Sequence, residues 1–194
     1  MNRIATIACA AAISCLAGTA QAQNWYVGGY GAMNYTHDGN ANGNASLVYE
    51  LGYGVGGMVG YAMASGLRLE GELAYRSNGI DTVNGVSVGA DISSWAVMAN
   101  ALYDINTQSS IRPHIGGGIG VARGTVETGN LEFSDTVLAA QFIVGVDYKV
   151  APDLALTVDF RHLRTQDLDL GAASGLAGLE YANSSVSAGL RKTF

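Results

Sequence analysis

The chain has 194 residues, of which 48% are hydrophobic and only 13% charged, where an average soluble domain carries about 25% charged. That balance excludes a disordered tail, which needs high charge and few apolar groups. The 27 glycines follow no G-X-Y period, so collagen is excluded, and a net charge of −6 leaves no basic footprint for nucleic acid.

The first element is expected to be removed. Met1-Asn2-Arg3 gives a positive start, Ile4 to Leu16 is uncharged, and Ala20-Gln21-Ala22 is an A-x-A cleavage site. Cleavage between Ala22 and Gln23 makes 1–22 a signal peptide and 23–194 the exported domain. Both cysteines, Cys9 and Cys15, lie in the leader, so the exported domain has no disulfide or thiolate chemistry.

From there the chain alternates with period two, the signature of strands. Segment 47–63 alternates Tyr53, Val55, Val59, Tyr61 and Met63 with small residues. Segment 67–76 puts Leu67, Leu69, Leu73 and Tyr75 on one face, with Arg68, Glu70, Glu72 and Arg76 on the other. In 111–122, Ile111, Ile115, Ile119 and Val121 oppose Arg112, His114 and three glycines. Segment 136–148 sets Leu138, Phe142, Val144 and Val146 against Gln141, Gly145 and Asp147. Segment 154–165 sets Leu154, Leu156, Val158 and Phe160 against Thr157, Asp159 and Arg161. With 24–35, 91–103 and 181–194 the count reaches eight. The first strand is ambiguous, because Trp25-Tyr26 and its glycines do not fix which face is outward.

Connectors of two kinds alternate. Three are short (64–66, 104–110 and 149–153), and four are long and polar or Gly-rich (36–46, 77–90, 123–135 and 166–180). Short turns at one end and long loops at the other are what an up-and-down membrane barrel shows. In lipid every backbone N–H and C=O must be paired internally, so a spanning sheet has to close. Eight strands of about 9–11 spanning residues need about 72–88 residues, which this chain supplies with room for loops. Tyr61, Tyr103, Tyr148 and Phe194 fall near the short-turn end, and Tyr49, Tyr75 and Trp95 nearer the other, as two aromatic girdles require. A soluble lipocalin-like barrel would alternate too, with its apolar face inward around a ligand.

Gly52-Tyr53-Gly54-Val55-Gly56-Gly57 matches G-x-G-x-x-G, but a dinucleotide site needs that turn to open a helix. Here strand alternation runs straight through it. The inward charges say more. Glu70, Glu72, Arg112, His114, Asp159 and Arg161 fall in the lower and middle lumen, with Asp147 and Arg191 nearer its short-turn end. Buried charges need partners. The expectation is a salt-bridged plug in which Arg161 and Arg112 neutralise Glu70, Glu72 and Asp159. His37, His114 and His162 are scattered, so no metal cluster is expected. No cofactor is expected either.

The chain ends Val186-Ser187-Ala188-Gly189-Leu190-Arg191-Lys192-Thr193-Phe194. Together with Arg112-Pro113-His114-Ile115-Gly116-Gly117-Gly118-Ile119-Gly120 and Gly145-Val146-Asp147-Tyr148-Lys149-Val150, it resembles the small outer-membrane β-barrel family of the OmpA transmembrane domain and the opacity-type surface antigens. The resemblance covers essentially 23–194 and implies an all-β fold: an eight-stranded antiparallel up-and-down transmembrane β-barrel with short periplasmic turns and longer extracellular loops. It implies an integral protein of the bacterial outer membrane, with Phe194 as its C-terminal assembly signal. Lys192 departs from the family's apolar residue there and is expected to snorkel to the interface. The implied partners are outer-membrane lipid and lipopolysaccharide, the outer-membrane assembly machinery, and host-surface or phage ligands at the loops, with the chain a monomer. The implied role is non-enzymatic: envelope integrity, adhesion or surface antigen. A narrow gated pore is the alternative, and a lipid A-modifying enzyme the second. For the last, His162 lacks the His-x-Ser arrangement that lipid A deacylases carry.

Overall fold

The computed structural model describes residues 24–36, 39–41, 45–49, 51–83, 86–107, 109–128, 131–166, 168–169, 177–179 and 182–194. Residues 1–23, with the expected leader and its cleavage site at Ala22 and Gln23, lie outside them. So does His37.

Eight strands carry the architecture: β1 (Trp25–Thr36), β2 (Gly52–Ala62), β3 (Leu67–Val83), β4 (Val86–Asp104), β5 (Ile111–Thr128), β6 (Leu131–Ala151), β7 (Leu154–Thr165) and β8 (Ala182–Thr193). Each pairs antiparallel with its neighbours in sequence. β1 also pairs with β8, from Tyr26↔Thr193 to Thr36↔Asn183, so the sheet closes. Closure leaves no unpaired edge, the condition a bilayer imposes on strands. No helix of the described residues is long and apolar enough to cross a membrane, and the crossing elements are strands.

The side-chain distribution inverts that of a soluble protein. Outward Ile119 is 73% exposed while inward Arg161 is 2% exposed. Outward positions carry Val97, Val121, Leu138, Phe160 and Val186, which pair across neighbouring strands (Val97↔Val121, Val121↔Leu138, Val186↔Phe160). An apolar belt of this kind needs lipid, because water would meet it at about 25 cal/mol per Å². The lipocalin-like alternative is thereby excluded, since it demands the opposite parity.

The ambiguous first strand is settled by its neighbours. Tyr26 and Asn34 are buried inside, and Trp25, Met33 and Tyr35 face out. Trp25 stacks edge-on against Tyr61 at 5.5 Å, and Tyr75 tilts against its cross-strand partner Trp95 at 5.0 Å. These pairs occupy the two ends of the belt.

The strands run further than the alternation count suggested, and two of the four expected long loops are corrected. Segment 77–90 is mostly ladder, with β3 and β4 paired up to Val83↔Val86. Segment 123–135 is likewise ladder up to Thr128↔Leu131. Asn84-Gly85 and Gly129-Asn130 lie between those pairs, and both dipeptides suit two-residue hairpins that demand positive φ. Within 36–46 and its flank the short strands Gly39–Ala41 and Ala45–Tyr49 pair, and the second continues onto β3. Within 166–180, Leu168–Asp169 pairs with Ala177–Leu179.

The opposite end is tight. Gly66, at φ +91°, donates to Met63 O at 3.0 Å and accepts from Asp104 N at 2.8 Å. That backbone geometry favours a residue without Cβ. Ser109 closes the next turn, where its hydroxyl donates to Ile111 O at 3.0 Å. Lys192 reaches the 152–153 turn, 3.1 Å from Asp153, and its hydrogen bond holds the exposed Asp153 carboxyl below the ordinary carboxylate range.

Candidate functional site: the charged lumen

Inward positions fill the barrel with polar and charged side chains. Glu72, on β3, is the hub of the middle lumen. It accepts hydrogen bonds from Tyr30 Oη, from Asn100 Nδ2 at 2.7 Å, from Gln141 Nε2 at 2.8 Å and from Arg161 Nη1 at 2.8 Å. These donors come from β1, β4, β6 and β7, so one carboxylate ties five strands across the axis. Arg161 spans Glu72 and Asp159, reaching Asp159 Oδ2 through Nη2 at 2.9 Å. Its guanidinium carbon lies 4.5 Å from the centre of the Tyr30 ring. A buried guanidinium shared between two carboxylates, with a ring on one face, has most of its donor fork used.

A second cluster lies toward the short-turn end. Arg68 Nε is 3.0 Å from Asp104 Oδ1, and its Nη1 is 3.3 Å from Asp147 Oδ2. Arg191 Nη2 is 2.6 Å from the same Asp147 oxygen. Tyr26, between the Arg68 and Arg191 guanidiniums at 5.8 and 5.0 Å, donates to Glu70 Oε1 at 2.7 Å. His114 joins the two clusters, with Nε2 at 2.9 Å from Asp159 Oδ1 and Nδ1 at 3.8 Å from Asp147 Oδ2. Thr157 Oγ1 adds a donor to Asp159 at 3.1 Å.

Of the six residues expected in the lumen, the structure brings Glu72, His114, Asp159 and Arg161 into one connected network. Glu70 is buried beside it, but its hydrogen bond is to Tyr26. Arg112 departs from the expectation. Its side chain is 46% exposed at the short-turn rim, and its ion pair is with Asp104 at 3.9 Å. The reason is position: Arg112 is the second residue of β5, two residues nearer the turn than His114. The buried cations on the lower acids are Arg68, on Asp104 and Asp147, and Arg191, on Asp147.

Sequence reasoning assigned no role to Tyr26, Tyr30, Asn100, Gln141 or Asp104. Parity already sets Gln141 on the inward face and, extended along 91–103, places Asn100 there too. The tyrosines had a subtler signal in the glycines opposite them. A Cβ on Gly56 would run into the Tyr30 ring, and one on Gly60 into the Tyr26 ring. These inward glycines of β2 are the space that two aromatic side chains occupy, so the G-x-G-x-x-G run is a packing feature inside a strand.

Asp104, His114 and Asp147 bring ligand-type atoms within 4.8 Å of one another. The guanidiniums of Arg68 and Arg191 already lie on those carboxylates, which suits an ion-pair cluster and opposes a divalent cation. On the outer face, His162 Nδ1 lies 2.9 Å from Ser184 Oγ, a contact that cross-strand pairing of β7 with β8 creates.

Inverted parity, a closed ladder and tight turns at one end describe a membrane barrel, and the sequence itself matches a family of them. The model for the outer membrane protein beta-barrel domain matches residues 5–194. The chain belongs to the outer-membrane β-barrel family. It is an integral outer-membrane protein, its tight turns are periplasmic, and its extended hairpins are extracellular. An "Outer membrane protein" of Gluconacetobacter diazotrophicus is 29% identical over 166 residues, covering 69% of this chain and 44% of that protein. The chain thus spans less than half the length of that curated relative. Among solved structures, Neisserial surface protein A superposes with a TM-score of 0.66 at 22% identity, covering 88% of this chain and 97% of the other. Ail, the attachment invasion locus protein of Yersinia pestis, gives 0.52 at 14% identity, covering 88% and 99%. Identities this low carry the fold alone.

Proposed function

We propose that this barrel is a closed-lumen scaffold for display at the cell surface, acting in adhesion or as a surface antigen. The observation that carries this reading is the length of its extracellular hairpins. β6 has 21 residues, or about 70 Å at ~3.3 Å per residue, and tilt reduces its height to about 50 Å against an apolar band of ~25 Å. Roughly half of the β3–β4 and β5–β6 ladders therefore stands clear of the membrane on a rigid base. Loops and tips on a rigid scaffold are where barrels place recognition. The attachment function in the name of Ail belongs to that protein, and its fold supports the reading by analogy only.

The test is a trimmed barrel. Replacing 80–90 by Asn-Gly and 126–133 by Gly-Asn keeps the register below, at Gly79↔Asp91 and Thr125↔Ser134. Bacteria carrying the full chain should adhere to cultured cell monolayers above the empty-vector level. The trimmed barrel should reach the outer membrane equally well and lose that adherence. Equal adherence of both, or none with the full chain, overturns the adhesion reading.

The Ser184–His162 contact favours a second reading, a lipid-facing hydrolase. A serine hydroxyl on an imidazole is the start of a nucleophile–base pair. Mass spectrometry of lipid A from cells carrying the wild type and Ser184→Ala decides it. Identical lipid A in both removes this reading, and loss of an acyl chain only with the wild type establishes it.

A further inference from the structure

We propose that the extracellular half of the lumen holds a binding site for a small oxyanion, a carboxylate or a phosphate, centred on Arg76. Three other inward arginines are neutralised by carboxylates: Arg68 by Asp104 and Asp147, Arg161 by Glu72 and Asp159, and Arg191 by Asp147. Arg76 is as deeply buried, at 3% exposure, yet it pairs with no carboxylate among the described residues. Its Nη1 has no hydrogen-bond partner among the described residues. A guanidinium cannot shed its proton to escape this position, and it offers five N–H donors in a planar fork. The matching partner is an anion with two oxygens in one plane.

Neighbouring strands supply the complement. Ser94 on β4 is the register partner of Arg76, and its buried Oγ has no hydrogen-bond partner among the described residues. Gly54 on β2 is its register partner on the other side. A Cβ on Gly54 would meet Asn34 Nδ2 at 3.0 Å, so the Asn34 amide lies over the glycine that pairs in register with Arg76. Asn34 is fully buried, and neither its Nδ2 nor its Oδ1 has a hydrogen-bond partner among the described residues. Four adjacent strands thus bring a buried arginine, amide and hydroxyl to neighbouring inward positions, with glycine where a side chain would intrude. The inward residues below them on β3, β4 and β5 are Ala74, Ala96 and Ala122, small enough to leave the polar groups uncrowded. All three groups can donate to oxygen, and none is an anion, so the cluster selects negative charge.

The experiment is thermal unfolding of the refolded barrel in detergent micelles, titrated with phosphate, acetate or chloride at constant ionic strength. Phosphate or acetate is expected to raise the melting temperature saturably by a few degrees over chloride, and the arm that responds identifies the oxyanion. Arg76→Met should abolish the shift. Ser94→Ala and Asn34→Leu should each raise the half-saturating concentration several-fold, and they keep the test open should Arg76→Met fail to refold. No shift in the wild type, an equal shift in Arg76→Met, or unchanged half-saturation in both Ser94→Ala and Asn34→Leu overturns the site. In that event Arg76 only balances the acidic network below it at longer range.

Discussion

A single residue shows how place decides what a charge is worth. Arg161 and Arg112 are both arginines on inward parity, yet one is sealed between two carboxylates and the other is half exposed at the rim. Removing one partner from a buried pair leaves uncompensated charge, at about 3–5 kcal/mol, while a solvated pair contributes about 0–1 kcal/mol. Arg161→Leu should therefore lower unfolding stability in urea by about 3–5 kcal/mol, and Arg112→Leu by less than about 1 kcal/mol. Equal losses would mean that Glu72 and Asp159 find other donors. Parity marked both arginines as inward. Height along the strand, which sets exposure, depended on a register that the sequence does not display.

At the scale of the strand, glycine and tyrosine form a unit. Tyr30 lies against Gly56, and Tyr26 against Gly60, on the neighbouring strand. Gly56→Val or Gly60→Val should force a ring out of place and cost about 1–3 kcal/mol as overpacking. The same change at outward Gly71, where a Cβ meets nothing closer than Val59 at 3.9 Å, should be close to neutral. Urea unfolding of the three variants checks the ordering. The strands themselves were legible in the sequence wherever apolar residues alternate strictly, as in 67–76 and 154–165. The faces of β1 were not, because its glycines blur the alternation. The upper hairpins read as loops in the sequence because, outside the membrane, neither face of a ladder needs to be apolar. The Asn84-Gly85 and Gly129-Asn130 dipeptides were the available signal there.

For the molecule as a whole, the network is a set of cross-braces through the lumen. Glu72 connects β3 to β1, β4, β6 and β7, and His114 connects that layer to the one nearer the periplasm. Ion-pair layers stacked in a narrow barrel should block ions. Refolded residues 23–194 in a planar bilayer should give a silent membrane, and the double variant Glu72→Ala/Arg161→Ala should give reproducible current steps. Steps from the wild type would show that the braces part and make the lumen a pore. Barrel closure and membrane placement were readable from strand count, connector lengths and the chain end. Which acid meets which base was not, since these pairs join residues as far apart as Glu72 and Arg161, related only by folding.

The seam between β1 and β8 has one more implication. Phe194 N donates to Trp25 O at 2.9 Å, so the two ends of the described chain lie side by side at the periplasmic rim. A ring of eight strands has no intrinsic first member. A circular permutant, with the present ends joined by a short linker and new ends opened between Asn84 and Gly85, should refold in micelles to the same barrel. The proposal that Phe194 is an assembly signal predicts that this permutant, which no longer finishes with Phe194, fails to accumulate in the outer membrane of living cells; normal accumulation would overturn it. That pair of outcomes would separate what the sequence needs in order to fold from what it needs in order to arrive.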